Sequence, residues 1–97
     1  MAEVRVVEEH NTDPDTAITR IADFEDMLKK FRVTPVWKGK HAKLKGTGVS
    51  GSIDIDATAV TVVVKLGMLA RAAGIDPVRL EGSIRKRLRK VFGNEEA

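Results

Sequence analysis

Ser50 stands in Gly48-Val49-Ser50-Gly51-Ser52, one residue short of the Gly-x-Ser-x-Gly turn that lifts a hydrolase's nucleophile out of its sheet. That turn must pass from a strand into a helix. Here Ser52 fills the place of the last glycine, and Ile53-Asp54-Ile55 continues as a strand, so the elbow reading fails. His10 and His41 are the only histidines, 31 positions apart, and no cysteine accompanies them. Neither lies in a metal-ligand spacing, and without cysteine there is no thiolate nucleophile and no disulfide framework. His10 is expected to satisfy loop backbone groups and His41 to sit on a solvated strand. The expectation is therefore a chain with no catalytic residues, no metal and no cofactor.

Binding chemistry is better represented. Trp37 lies among lysines 38, 40, 43 and 45, where an aromatic ring beside cations can stack on a planar ligand. A lone tryptophan next to a tight turn more often anchors a hairpin on the core, and that reading is preferred. Gly39, Gly48 and Gly51 match neither phosphate-cradling pattern and read as backbone devices. The strongest surface feature is a run of Arg79, Arg85, Lys86, Arg87, Arg89 and Lys90, opposed by Glu81. Like charges at that density call for an anionic partner or plain solvent.

The elements that must position these residues follow from periodicity. Val4-Arg5-Val6-Val7-Glu8 reads as a first strand. Asp13-Pro14 caps a helix whose Ala17, Ile21, Phe24, Leu28 and Phe31 repeat at helical spacing. The period then drops to 2. Val36-Trp37-Lys38, a turn at Gly39-Lys40 and His41 to Lys45 form a hairpin. Two further strands carry Val49, Gly51, Ile53 and Ile55, then Val60, Val62, Val64 and Leu66, on their dry faces. Met68 to Ala73 is a short helical piece. Asp76-Pro77 repeats the cap, and Leu80, Ile84, Leu88 and Val91 mark the buried stripe of a last helix ending near Gly93. The fold class is α+β: a two-layer β-α-β-β-β-β-α domain, one antiparallel sheet packed on two helices in a reduced helix-grip manner.

A chain of 97 residues, 42% hydrophobic and 32% charged, supports a single core. Residues 1–93 are expected to form one domain and 94–97 a frayed tail. No apolar leader or membrane-length run occurs, and cysteine is absent, which fits a cytoplasmic protein. Net charge is +3, but residues 1–35 carry 5 basic and 8 acidic side chains while residues 36–97 carry 12 and 6. The positive end of the chain is its last helix.

Several landmarks, in order, resemble the polyhydroxyalkanoate (polyhydroxyalkanoic acid) system family of PHA granule-region proteins. They are His10 after the first strand, Trp37-Lys38-Gly39, Gly48-Val49-Ser50-Gly51, Leu66-Gly67-Met68-Leu69, and the charged helix from Leu80 to Phe92. The resemblance implies bacterial origin and a link to storage-polyester metabolism, and it brings no catalytic residues with it. Ala42 and Leu44 depart from the larger apolar residues that the family tends to carry in that strand.

The function expected from this combination is that of a non-enzymatic accessory protein. It would bind the PHA granule surface or a granule-associated protein through Arg79, Arg85, Lys86, Arg87, Arg89 and Lys90. The alternative is a small hydrophobic-ligand binder. Its pocket would lie between sheet and last helix, lined by Ile53, Ile55, Val62, Val64, Leu69 and Leu80, with Gly51 and Gly82 leaving room. A nucleic-acid-binding module ranks third, since no motif supports it.

Overall fold

Alternating branched residues build the sheet, and the computed structural model describes residues 2–93. Strands β1 (Ala2–Glu9), β2 (Thr34–Lys38), β3 (His41–Gly46), β4 (Val49–Ile55) and β5 (Ala59–Leu66) form one antiparallel sheet in the order β1-β5-β4-β3-β2. Strands β2 to β5 are the expected meander. β1 takes the free side of β5, with Val4 opposite Val64 and Val6 opposite Val62. Since neighbouring side chains point to opposite faces, this register gathers Val4, Val6, Ala42, Leu44, Ile53, Ile55, Val60, Val62, Val64 and Leu66 on one buried face. Arg5, Val7, Lys43, Lys45, Ser50, Asp54 and Lys65 stand on the other face, exposed.

The helices all pack on the dry face: α1 (Pro14–Arg20), α2 (Ala22–Lys30), α3 (Met68–Ala72) and α4 (Pro77–Val91). Where the spacing predicts one first helix, the structure has two, parted at Ile21. The break is slight. Ile21 has φ −64 and ψ −15, its N–H still reaches the Ala17 carbonyl at 3.0 Å, and Glu25 N–H reaches the Ile21 carbonyl at 3.0 Å. The turn is locally tightened without losing the ladder, so Ala17, Ile21, Phe24 and Leu28 remain one buried stripe. In α4 the stripe runs Leu80, Ile84, Leu88 and Phe92, a pure i, i+4 row. Val91, expected in it, is only partly buried. Core residues from every strand except β2, together with all four helices, belong to one apolar cluster, on which Trp37 of β2 packs. The expected tail at 94–97 lies outside the described residues.

Both Asp-Pro starts act as read. The Asp13 carboxylate accepts the Thr16 N–H at 2.9 Å and the Thr16 hydroxyl at 2.6 Å, and Asp76 accepts the Val78 N–H at 2.9 Å. A third aspartate, Asp56, organises the β4–β5 turn by accepting N–H groups of Thr58 and Ala59 at 2.8 and 2.7 Å. The Thr16 bonds hold Asp13, and the Thr58 and Ala59 N–H groups hold Asp56, below the ordinary carboxyl value of 3.8. A lowered folded-state pKa stabilises the fold above the unfolded value, and that contribution disappears as pH falls through the folded value. Asp13→Asn and Asp56→Asn keep an acceptor oxygen but remove the titration. Urea midpoints measured from neutral pH down through the carboxyl range should therefore fall less steeply in each variant than in wild type. Parallel acid limbs in all three proteins would contradict these turn bonds.

Candidate functional site: a cation-rimmed groove between α2 and α4

With Leu80, Ile84, Leu88 and Phe92 turned into the core, the cations of α4 must occupy the rest of its circumference. Packing divides the six into two sets. On one side Arg89 Nε lies 3.8 Å from Glu8 Oε1 of β1, and Arg85 lies 3.9 Å from Glu81 on its own helix. The Glu8 side chain is only 11% exposed, so Arg89 partly covers it. On the other side Arg79, Lys86, Arg87 and Lys90 face α2. Among the described residues none of these four is ion-paired.

Between α2 and α4 runs a groove of three adjoining hollows that share lining residues. At the α4 N-terminus a hollow of about 570 Å³ is bounded by Lys30, Phe31, Arg32, Ile75, Arg79 and Leu80. The middle one, about 370 Å³, is lined by Met27, Lys30, Phe31, Ser83, Lys86, Arg87 and Lys90. The last, about 250 Å³, has Arg87, Lys90 and Val91 on one side and Asp23 and Asp26 on the other. The floor is apolar through Met27, Phe31, Ile75 and Leu80, and the rim is cationic over most of its length. Such a groove suits an anionic counter-surface with some apolar character, because the floor favours desolvated contact while the rim supplies long-range attraction.

From the sequence Phe31 belongs to the apolar stripe of the first helix and Lys30 and Arg32 to its cationic end, with no binding role read for any of the three. They sit where the first helix ends, and only the antiparallel placement of α2 beside α4 makes them one wall of this groove. Arg32 holds φ +58 there, turning the chain from α2 into β2.

Of the six residues expected to surround an apolar pocket, only Leu80 lines one of the hollows described above. Ile53, Ile55, Val62 and Val64 are packed into the core, Leu80 reaches the groove floor, and Leu69 is 63% exposed. Neither glycine leaves room between sheet and helix. A Cβ on Gly51 would lie 2.0 Å from the Val63 carbonyl oxygen, so the backbone of β5 fills that space, and Gly82 faces open solvent.

The remaining chemistry-bearing residues have definite tasks. His10 is 1% exposed; its Nδ1 accepts the Thr12 N–H at 3.2 Å and its Nε2 lies 2.8 Å from the Asp56 carbonyl. An Nδ1 that accepts a main-chain N–H places the proton on Nε2, so both ring nitrogens serve loop backbone, as expected. Its ring also meets Phe92, with centroids 6.3 Å apart. The Trp37 indole N–H donates to the Glu25 carboxylate and the ring packs on the core, which ties the β2–β3 hairpin to α2. His41 lies on the solvated face of β3, as expected, and has a partner there. Its Nδ1 is 2.5 Å from Asp54 Oδ1, its register neighbour on β4, and both are about half exposed on the open sheet face. None of the hollows described above is lined by this pair.

Among the described residues no helix is long and apolar enough to cross a membrane. Comparison with curated proteins and with solved structures gives no match. The family model "Putative polyhydroxyalkanoic acid system protein" (PHA_gran_rgn) does match, over residues 4–92, which takes in every element from β1 to α4, and the chain belongs to that family.

Proposed function

We propose that this polyhydroxyalkanoate-system protein is a non-enzymatic accessory factor that docks on a partner protein or on the anionic surface of the polyester granule through α4. The observation that supports this most directly is the division of the α4 cations. Arg79, Lys86, Arg87 and Lys90 crowd one groove with Lys30 and Arg32, and four like charges without ion pairs among the described residues are held together at an electrostatic cost that an anionic counter-surface would relieve. The non-enzymatic half of the reading is supported by the histidines. His10 is committed to backbone groups, and His41 is paired with Asp54 on a flat strand face.

The test compares retention on isolated polyester granules for wild type and for Lys86→Glu with Lys90→Glu. Both side chains are exposed and unpaired among the described residues, so their reversal is expected to leave the fold intact. Reversing Arg85 and Arg89 is less clean, because it sets acid against Glu81 and against the nearly covered Glu8. Attraction of this kind is screened over a Debye length of about 10 Å at 0.1 M salt and about 3 Å at 1 M. Retention is expected to disappear in the Lys86→Glu/Lys90→Glu variant and to fall steeply for wild type as salt rises. Retention that survives both would reject docking through α4.

A further inference from the structure

Helix α3 faces the wrong way for an ordinary surface helix. It buries Ala70, at 1% exposure, and turns its two largest apolar side chains outward, with Met68 at 86% and Leu69 at 63%. Val78, in the first turn of α4, is 77% exposed, and Ala72 and Ala73 between them are exposed as well. Of the five large apolar side chains that stand out from the described surface, these three fall within residues 68–78. Scattered exposed apolar residues need no explanation, but a cluster at one end of a domain does.

The tip is firmly held. Gly67 N–H donates to the Gly48 carbonyl at 2.8 Å, and Ile75 N–H to the Ala70 carbonyl at 3.1 Å. Gly48, at φ +71, lies so close under α3 that a Cβ there would be 2.7 Å from Leu69 Cβ and 2.8 Å from the Ala70 nitrogen. Met68 and Leu69 are thus presented on a buttressed platform, the β3–β4 turn.

The strand directions bring cations to the same end. Lys30 and Arg32 leave α2 here and line one hollow with Ala73, Gly74 and Arg79. Lys45 and Lys65 lie near the β3 and β5 ends that lead to the β3–β4 turn and to α3, and Arg71 projects from α3 itself. Of the acidic groups nearby, Asp76 caps α4 and Glu81 pairs with Arg85, while Glu3 lies opposite Lys65 in register. Apolar side chains at an apex, with arginines and lysines set around them, match the layering of an apolar phase covered by anionic headgroups.

We infer that the α3 apex is an interfacial anchor: Met68, Leu69 and Val78 enter the apolar layer of a surface coated with anionic amphiphiles, while Arg32, Arg71 and Arg79 meet its headgroups. The inference rests on the surface-docking half of the function proposed above, and it chooses the surface over a partner protein.

The absence of native cysteine makes the test direct. Met68→Cys is labelled with an environment-sensitive fluorophore and mixed with vesicles of phosphatidylcholine containing about one third phosphatidylglycerol. Ala57→Cys, in the exposed turn at the opposite end of the sheet, is the control. The label at position 68 should shift to the blue and become shielded from iodide, and the label at 57 should not. Met68→Asn with Leu69→Asn should weaken vesicle partitioning at least tenfold while circular dichroism stays unchanged, since each buried apolar side chain is worth about a factor of ten or more. Vesicle binding with an unshifted label at 68 would overturn the anchor while leaving docking through α4 intact. No binding to these vesicles would overturn it too, as would a blue shift without vesicles that grows with protein concentration, which would assign the tip to a second copy of the chain. A shielded label at 68 that persists in the Lys86→Glu/Lys90→Glu variant would support the anchor and count against α4.

Discussion

Ile84→Ala is expected to lower the stability of this protein by about 2–5 kcal/mol, and Arg87→Ala, three positions along the same helix, by about 0.5 kcal/mol or less. Ile84 is fully buried in the middle of the α4 row, between Leu80 and Leu88, where the helix meets the sheet. Truncation there removes the transfer free energy of three carbons and leaves a hole that strands held by their hydrogen bonds cannot readily close. Arg87 lines the groove between α2 and α4, partly covered along its stem and with no ion pair among the described residues to lose. Its removal also relieves repulsion from Lys86 and Lys90. Urea melts of the two variants should give widely separated midpoints with similar slopes. Equal midpoints would mean that α4 does not present this face to the sheet.

A second large effect is expected from adding one methyl group, with a sign that depends on where it goes. Gly51 lies in the middle of β4, opposite Val64 on β5 and Leu44 on β3. A Cβ there would stand 2.0 Å from the Val63 carbonyl oxygen and 3.0 Å from its carbon, and both are backbone atoms that cannot rotate away. Gly51→Ala must push apart the central strand pair and is expected to cost at least about 2 kcal/mol, at the severe end of overpacking. Gly82 is exposed within α4, and nothing lies within 4 Å of where its Cβ would be. Gly82→Ala should stabilise by about 0.5–1 kcal/mol, since alanine reduces the freedom of the unfolded chain and favours helix. Thermal melts compare the two directly. A Gly51→Ala protein as stable as wild type would show that β4 and β5 do not approach as described.

These effects differ in how far they could be read in advance. The placement of Ile84 follows from helical spacing alone, because Leu80, Ile84 and Leu88 repeat at the helix period whatever lies opposite. The role of Gly51 was only half visible. A glycine inside a strand signals a bend or a close approach, and the sequence reads it as a backbone device; the room it would give a ligand in the alternative function is taken up by the neighbouring strand itself. His10 was legible as a loop-satisfying residue, yet its contact with Phe92 depends on where the last helix ends.

The strand faces, the two Asp-Pro caps, the Leu80-Ile84-Leu88 stripe and the family landmarks were legible in the residues alone. All of these are local: alternation, capping and periodicity act over a few residues, and burial only reinforces them. Tertiary structure decided which charges are spoken for and which apolar side chains remain outside. Arg89 is paired because β1 supplies Glu8 on one flank of α4, while Arg79, Lys86, Arg87 and Lys90 have no ion pair among the described residues and α2 brings Lys30 to their flank. Asp54 meets His41 only through the β3–β4 register. Leu69, expected inside a pocket, lies outside because the Gly48 turn packs against the backbone of α3 and gives the single inward position to Ala70. Each of these outcomes depends on the rotation of one element against another far away in the chain, and a short apolar run such as Met68-Leu69-Ala70 reads the same whichever of its faces is turned inward.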